Sequence, residues 1–204
     1  MVLSNVKYMH EKHEVEYRAL ISRRTLDAFI AEGKSLAEAR FEGPITIVDS
    51  YFCPKSVTSF TEIEMDSTGS YSLRLRSEKK GRKEIASINT KVIQSVGDHN
   101  AWLEHETGIS SFAEVACIFS DIGFKNFFEL RKKRYAFKDG EINVCLEDIE
   151  NFQPAIEIEI ITTRSDTDMA KKRLLSYMKN HHIEDNLILK KSVTNLLMQK
   201  LSHF

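Results

Sequence analysis

The stretch from Glu14 to Arg18 reads EVEYR and alternates strictly between charged and uncharged side chains. Successive side chains of a β-strand point to opposite faces, so Glu14, Glu16 and Arg18 share one face. Val15 and Tyr17 share the other face. The pattern predicts a strand with one apolar face on a core and one face that concentrates charges of both signs.

The same alternation returns in several later stretches. Each carries a pair of like charges on one face, and the pairs are Arg74 with Arg76, Glu104 with Glu106, Lys132 with Arg134, and Glu157 with Glu159. For any single strand, a sheet with one face on the core and one face exposed to solvent explains the pattern. If the sheet closes with its apolar faces outward, all pairs point into one lumen. Carboxylates there suit Mg²⁺ or Mn²⁺, and arginine forks suit phosphate oxygens.

Alternating runs and turn signals predict a strand-rich chain with four helices. The predicted strands span residues 12–21, 46–53, 57–65, 71–77, 84–91, 102–106, 125–137, 141–147 and 155–162. The predicted helices span 24–32, 112–122, 167–180 and 193–201, each preceded by serine as a cap, and the first stops at Gly33. Lys138–Glu141 reads KDGE and predicts a tight hairpin. The fold class is α+β with a mostly antiparallel sheet, and about nine strands favour closure into a barrel.

Composition excludes several function classes. The chain has 204 residues, 42% of them hydrophobic, which fits one domain with a sizeable core. Its 29 Lys+Arg and 30 Asp+Glu give a net charge of -1, so we expect no nucleic-acid and no membrane partner. Three scattered cysteines, a polar N-terminus and the lack of a long apolar run predict a cytoplasmic protein. No P-loop or dinucleotide-binding glycine motif occurs.

These residues, in this order, resemble the CYTH superfamily, the triphosphate tunnel metalloenzymes. The motifs that carry the resemblance are Glu14–Arg18 (ExExK), Asp49–Phe52 (DxYF), Leu73–Arg76 (LRxR), Lys91 at a strand end, Glu104–Glu106 (ExE), Gly123–Phe124 (GF), Lys132–Arg134 (KxR) and Glu157–Glu159 (EIE). Ser192–Leu197 is similar to the SYxxLL tail of bacterial class IV adenylyl cyclases. The resemblance implies a closed antiparallel eight-stranded barrel with helices packed outside. It also implies a single domain over 1–204, with 164–204 as a helical segment on the barrel.

The resemblance further implies roles for the charged side chains. The expected ligands of Mg²⁺ or Mn²⁺ are Glu14, Glu16, Glu147, Glu157 and Glu159. The side chains expected to bind phosphates are Arg18, Arg74, Arg76, Lys91, Lys132 and Arg134, and the expected catalytic residues are Glu14, Glu16 and Arg18. The alternatives are a solvated strand face for Glu104 and Glu106, and a surface position for Lys91.

Three functions are compatible with this set. The first hypothesis is a class IV adenylyl cyclase-like enzyme that converts ATP to cyclic AMP and pyrophosphate. The second is a hydrolase of tripolyphosphate, thiamine triphosphate or a nucleoside triphosphate. The third is a non-catalytic binder of phosphorylated ligands. In each of the three the partner is a small-molecule triphosphate. We expect the last predicted helix, residues 193–201, to pack on the barrel or to form a homodimer contact.

Departures from the family pattern keep these alternatives open. Arg18 replaces the usual lysine, and Glu147 stands where an aspartate is usual, with Asp148 as an alternative ligand. Phe152–Ala155 replaces a glycine-rich motif.

Overall fold

The computed structural model describes residues 13–36, 41–63, 67–94 and 101–201. Within these ranges the chain forms eight strands and four α-helices. The strands are β1 (His13–Leu20), β2 (Glu42–Pro54), β3 (Tyr71–Lys80), β4 (Lys83–Ile93), β5 (Ala101–Ile109), β6 (Phe124–Asp139), β7 (Ile142–Ile149) and β8 (Ala155–Thr162). The helices are α1 (Arg23–Ser35), α2 (Phe112–Asp121), α3 (Thr167–Asn180) and α4 (Val193–Leu201).

The eight strands close into an antiparallel barrel in the order β1-β5-β4-β3-β2-β6-β7-β8. The pair of β1 and β8 places Glu16 opposite Glu159 and Arg18 opposite Glu157. On the other side of the barrel, β2 and β3 place Asp49 opposite Arg76. The predicted closed eight-stranded barrel is therefore confirmed, and its closure brings charged faces from distant parts of the chain around one axis.

The apolar faces of the strands point away from that axis and lie under the helices. Val15 and Ile158 are completely buried in one cluster with Leu174 and Met178 of α3. A separate cluster packs Phe119 of α2 on the outer face of β2 and β3. Burial of this apolar surface stabilises the barrel from outside. The charged strand faces are consequently left to line the interior, which we call the lumen.

Helix α4 packs against one end of the lumen. Leu130, Ile149 and Ala155 have the strand parity of lumen-facing residues, and they form one apolar cluster with Val193 and Leu197 of α4. Leu197 is 2% exposed. The lumen thus changes from charged to apolar side chains towards α4.

One predicted strand, residues 57–65, is wrong within the described residues. Phe60–Glu62 form a 3₁₀ turn instead, and residues 64–66 lie outside the described ranges. The Glu62 carboxylate accepts hydrogen bonds from the backbone N–H groups of Thr58 (2.9 Å) and Ser59 (3.0 Å). Such local bonds compete with a strand ladder, which explains why eight strands form rather than nine.

The four helices are confirmed, with a change at the end of α1 and one at the start of α3, where Asp166 and not a serine is the N-cap residue. The start of α1 is capped by Ser22, whose Oγ accepts from the backbone N–H of Thr25. The helix does not stop at Gly33 but continues to Ser35. A Cβ on Gly33 would lie 2.6 Å from the Phe137 ring, so this glycine permits close packing of α1 on β6. The predicted hairpin is confirmed, with Gly140 at φ 58° between β6 and β7.

Candidate functional site

The lumen contains one cavity of about 630 Å³ that brings the predicted site residues together. Its lining includes every one of them: Glu14, Glu16, Arg18, Arg74, Arg76, Lys91, Lys132, Arg134, Glu147, Glu157 and Glu159. They come from β1, β3, β4, β6, β7 and β8, and their alternation with outward apolar residues aims them inward. Barrel closure thus joins side chains that are more than a hundred residues apart.

Four carboxylates from the neighbouring strands β1 and β8 form the acidic group. In Glu14, Glu16, Glu157 and Glu159, one oxygen of each carboxylate lies within 4.8 Å of the oxygens of the others. Glu14 and Glu16 are 4% and 0% exposed. Divalent cations such as Mg²⁺ and Mn²⁺ prefer oxygen ligands, so the donor set fits such an ion.

Burial and mutual repulsion shift the acidic group's ionisation. Burial raises the pKa of Glu16 to about 7, although Arg18 and Lys91 oppose the rise. Burial and a hydrogen bond with Glu14 raise the pKa of Glu159 to about 9. Burial favours a higher pKa for Glu157 as well, but Arg18 and other cations hold that pKa well below its usual range. Crowded carboxylates of this kind are stabilised by a compensating cation.

Two basic side chains lie directly against the acidic group. Lys91 Nζ donates to both oxygens of Glu14 (2.9 and 3.0 Å) and to Glu16 (3.1 Å). Arg18 Nε donates to Glu157 at 2.7 Å, and its guanidinium also pairs with Glu16. Lys91 therefore lies in the lumen and not at the surface. Both residues were predicted to bind phosphates, and here they neutralise carboxylates.

Three of the remaining cations, Arg74, Arg76 and Lys132, assemble around Asp49, and we call these three the basic group. Arg76 forms a two-pronged interaction with Asp49, with Nε–Oδ1 and Nη2–Oδ2 distances of 2.6 and 2.9 Å. Arg74 Nε and Lys132 Nζ lie 3.7 and 3.6 Å from the same carboxylate. Asp49 is completely buried, yet the three cations hold its pKa far below the usual range. The Nε of Arg74 is buried without a hydrogen-bond partner among the residues that the structure describes.

Glu147 lies on the basic side of the lumen. Its carboxylate accepts from Lys132 and, at 2.7 Å, from Nη2 of Arg134. It does not belong to the four-carboxylate acidic group. The alternative ligand Asp148 instead pairs with Arg23 of α1 at 2.7 Å. The structure thus places Glu147 where it orients two predicted phosphate-binding side chains.

Several polar lumen contacts were not assigned a role from the sequence. Asp49 belongs to the DxYF motif but was not predicted as a site residue, although its carboxylate holds the basic group together. Asn143 donates to Glu159 at 3.0 Å, and Asn89 donates to Glu104. Glu104 also lies 3.5 Å from Lys91. Strand parity could have found the two asparagines, since Asn89 shares the inward face of β4 with Lys91 and Asn143 shares that of β7 with Glu147.

Comparison with known proteins agrees with this geometry. The model of the CYTH domain family matches residues 12–190. The chain belongs to the CYTH family. CYTH proteins are generally metal-dependent tunnel enzymes that bind triphosphate substrates. No curated protein matches this CYTH chain at a significant level.

Solved structures share the fold of this CYTH protein at low sequence identity. A protein from Pyrococcus horikoshii OT3 is 18% identical with a TM-score of 0.75, and the match covers 92% of this chain and 99% of that one. A candidate adenylate cyclase from Vibrio parahaemolyticus is 16% identical with a TM-score of 0.72, covering 90% and 97%. A second candidate adenylate cyclase, from Bacillus halodurans, is 17% identical with a TM-score of 0.57, covering 85% and 92%.

None of the helices in the described ranges combines the length and hydropathy required of a membrane span.

Proposed function

We propose that this CYTH protein is a metal-dependent enzyme that converts ATP to cyclic AMP and pyrophosphate, as class IV adenylyl cyclases do. One observation carries the proposal: a four-carboxylate acidic group faces a cluster of arginine and lysine side chains inside one lumen. A triphosphate needs cations around its oxygens, and nucleotidyl transfer needs charge neutralisation more than a covalent nucleophile. Both requirements are met by residues of this chain.

The acidic group is the proposed site for Mg²⁺ or Mn²⁺. Glu14, Glu16, Glu157 and Glu159 would hold the ion through carboxylate oxygens. When bound there, the ion would act as a Lewis acid that lowers the pKa of the ribose 3′-hydroxyl and neutralises phosphate charge. The bound ion would then neutralise these carboxylates in place of the Lys91 ammonium and the Arg18 guanidinium. Their donors would become available to the substrate's phosphates.

The basic group is the proposed triphosphate cradle. Arg74 and Arg76 of β3 present guanidinium forks that match phosphate oxygens, Lys132 adds its charge from β6, and Arg134 would assist from the same strand. In the reaction the 3′-oxygen bonds to the α-phosphorus, the bond to the bridging oxygen of the β-phosphate breaks, and the hydroxyl proton passes to solvent. The basic group would stabilise the negative charge that develops on the departing pyrophosphate.

Both reactions would use the same lumen residues, so the choice between them has to rest on another feature. The resemblance of Ser192–Leu197 to the tail motif of class IV adenylyl cyclases supports a cyclase over a hydrolase. Two structural neighbours are also candidate adenylate cyclases.

Product analysis tests the proposal. The purified protein is incubated with ATP, tripolyphosphate or thiamine triphosphate, each with Mg²⁺ or Mn²⁺, and the products are separated by chromatography. We expect cyclic AMP and pyrophosphate from ATP in equal amounts. Phosphate release without cyclic AMP would contradict the proposal and assign a hydrolase. Binding of these ligands without turnover under either metal would instead assign a non-catalytic binder.

A further inference from the structure

The cavity continues beyond the charged side chains into an apolar end beside α4. There its walls include Tyr51, Val57, Phe60, Ile63 and Met198. Phosphates gain nothing from such walls, whereas a flat organic ring would be removed from water there. The cavity therefore has two chemically different halves, and only one of them suits a triphosphate chain.

One polar side chain in the apolar end has a side-chain carbonyl that makes no hydrogen bond within the described residues. Asn195 of α4 lines the cavity and is 6% exposed. Its Oδ1 is buried and finds no hydrogen-bond donor anywhere in the described part of the chain. Its backbone N–H, by contrast, donates to Ser192 Oγ at 3.0 Å, so the first turn of α4 is fixed in place. An unsatisfied buried carbonyl is costly, so a ligand in the cavity that donates a hydrogen bond to it would be favoured.

The two halves of the cavity meet at Tyr51. In the register of β2 and β3, Tyr51 stands opposite Arg74 of the basic group. Its hydroxyl lies 3.3 Å from Oγ1 of Thr194, the residue before Asn195. A ligand whose phosphates contact Arg74 would thus extend past Tyr51 towards Asn195.

We propose that the apolar end is a nucleobase subsite in which the Asn195 amide recognises adenine. An asparagine amide pairs with adenine by accepting from the exocyclic amino group and donating to the adjacent ring nitrogen. The inference rests on the proposed function, because it presumes a triphosphate in the lumen. It goes further by naming the residue that selects the base: Asn195 would favour a triphosphate with an aminated heterocycle over one without the amino group.

Binding of inert ligands tests the inference without turnover. Affinities are measured by calorimetry in Mg²⁺ for three ligands whose reactive bridging oxygens are replaced by methylene groups: analogues of ATP, of inosine triphosphate and of tripolyphosphate. The inosine analogue lacks the exocyclic amino group. We expect the wild-type protein to bind the ATP analogue about tenfold more tightly than the inosine analogue, the ratio typical of one hydrogen bond.

The variant Asn195→Leu, of similar shape, should abolish this preference and leave the affinity for the tripolyphosphate analogue unchanged. Gln199→Leu is the matched control, since Gln199 is exposed on the same helix. The control should keep the wild-type preference.

Three results would overturn the inference, and they are distinct from failure of the proposed function. The first is a wild-type protein that binds the ATP and inosine analogues equally. The second is a preference that persists in Asn195→Leu, and the third is a variant that loses the tripolyphosphate analogue as well, which would make Asn195 structural. If Asn195→Leu does not fold, the inference is judged by whether the wild-type protein binds the ATP analogue more tightly than the inosine analogue. A wild-type protein that binds none of the three ligands refutes the proposed function and this inference with it.

Discussion

Asp49 holds together the basic side chains that the proposed chemistry needs. Three cations surround its carboxylate, and no part of the residue is exposed. Without Asp49, Arg74, Arg76 and Lys132 would repel one another in a low-dielectric interior. The residue therefore keeps the three side chains of the proposed phosphate site assembled in the absence of a ligand.

Replacement of this carboxylate should lower stability at neutral pH. We expect Asp49→Asn to reduce the free energy of unfolding by about 3–5 kcal/mol, because three buried cations lose the carboxylate that compensates their charge. Urea unfolding at pH 7 measures the loss. The matched control is Asp148→Asn, which breaks an exposed pair with Arg23 and should cost less than about 1 kcal/mol. Equal losses in the two variants would contradict the assignment.

The same residue should determine part of the acid sensitivity. Its pKa is depressed in the folded protein, so its stabilisation is fully present above the unfolded value of about 3.9 and decreases as pH falls below it. The wild-type protein should therefore lose stability more steeply than Asp49→Asn below about pH 4. If the free energy of unfolding falls with the same slope below pH 4 in both proteins, this prediction is wrong.

Helix α4 shows how a short element defines the shape of the site. It is too short to be stable alone, and its apolar side packs on inward-facing residues at one end of the barrel. Because of this packing, the lumen has an apolar end, and Thr194 and Asn195 reach the cavity. The shape and polarity of that end therefore depend on the packing of α4 and not on the charged side chains of the lumen.

Truncation of a buried residue in α4 tests this packing. We expect Leu197→Ala to lower the free energy of unfolding by about 2–4 kcal/mol, since the side chain is 2% exposed within an apolar cluster. Leu175→Ala in α3 is the control, because Leu175 is 38% exposed and should cost under about 1 kcal/mol. Denaturant unfolding compares the two. A loss for Leu197→Ala no larger than that of the control would show that α4 is not packed on the barrel as described.

At the scale of the whole molecule, the net charge of -1 conceals a separation of charge. The barrel places its acidic group on β1 and β8, and its basic group on β3 and β6, around Asp49 of β2. The lumen is a small enclosed space with opposite charges on different walls, which suits the proposed metal-bound triphosphate.

Much of this arrangement was predictable from local patterns. Period-two alternation predicted that Glu14 and Glu16 share one face, as do Arg74 and Arg76, and cap residues predicted the four helices. These features depend on neighbours in sequence. The predicted strand at 57–65 was wrong because the Glu62 carboxylate bonds to nearby backbone N–H groups, and alternation does not register such bonds.

The rest depends on contacts between distant parts of the chain. The partners of Lys91 follow from the register of the closed barrel, which sequence alone does not specify. The role of Asp49 requires three strands to come together. The position of Asn195 in the cavity requires α4 to dock at the barrel end, although the helix itself was predicted.

One measurement tests the central claim most directly: the rate of cyclic AMP formation from ATP and Mn²⁺ by the double variant Glu14→Gln, Glu16→Gln. Both substitutions preserve shape but remove the charges of two proposed metal ligands. Glu129→Gln, on an exposed side chain of β6, is the matched control. We predict cyclic AMP formation by the wild-type and control proteins, and a rate at least about 100-fold lower in the double variant, with its fold retained by circular dichroism. A double variant that is folded and as active as the wild-type protein would contradict the assignment of the lumen as the active site.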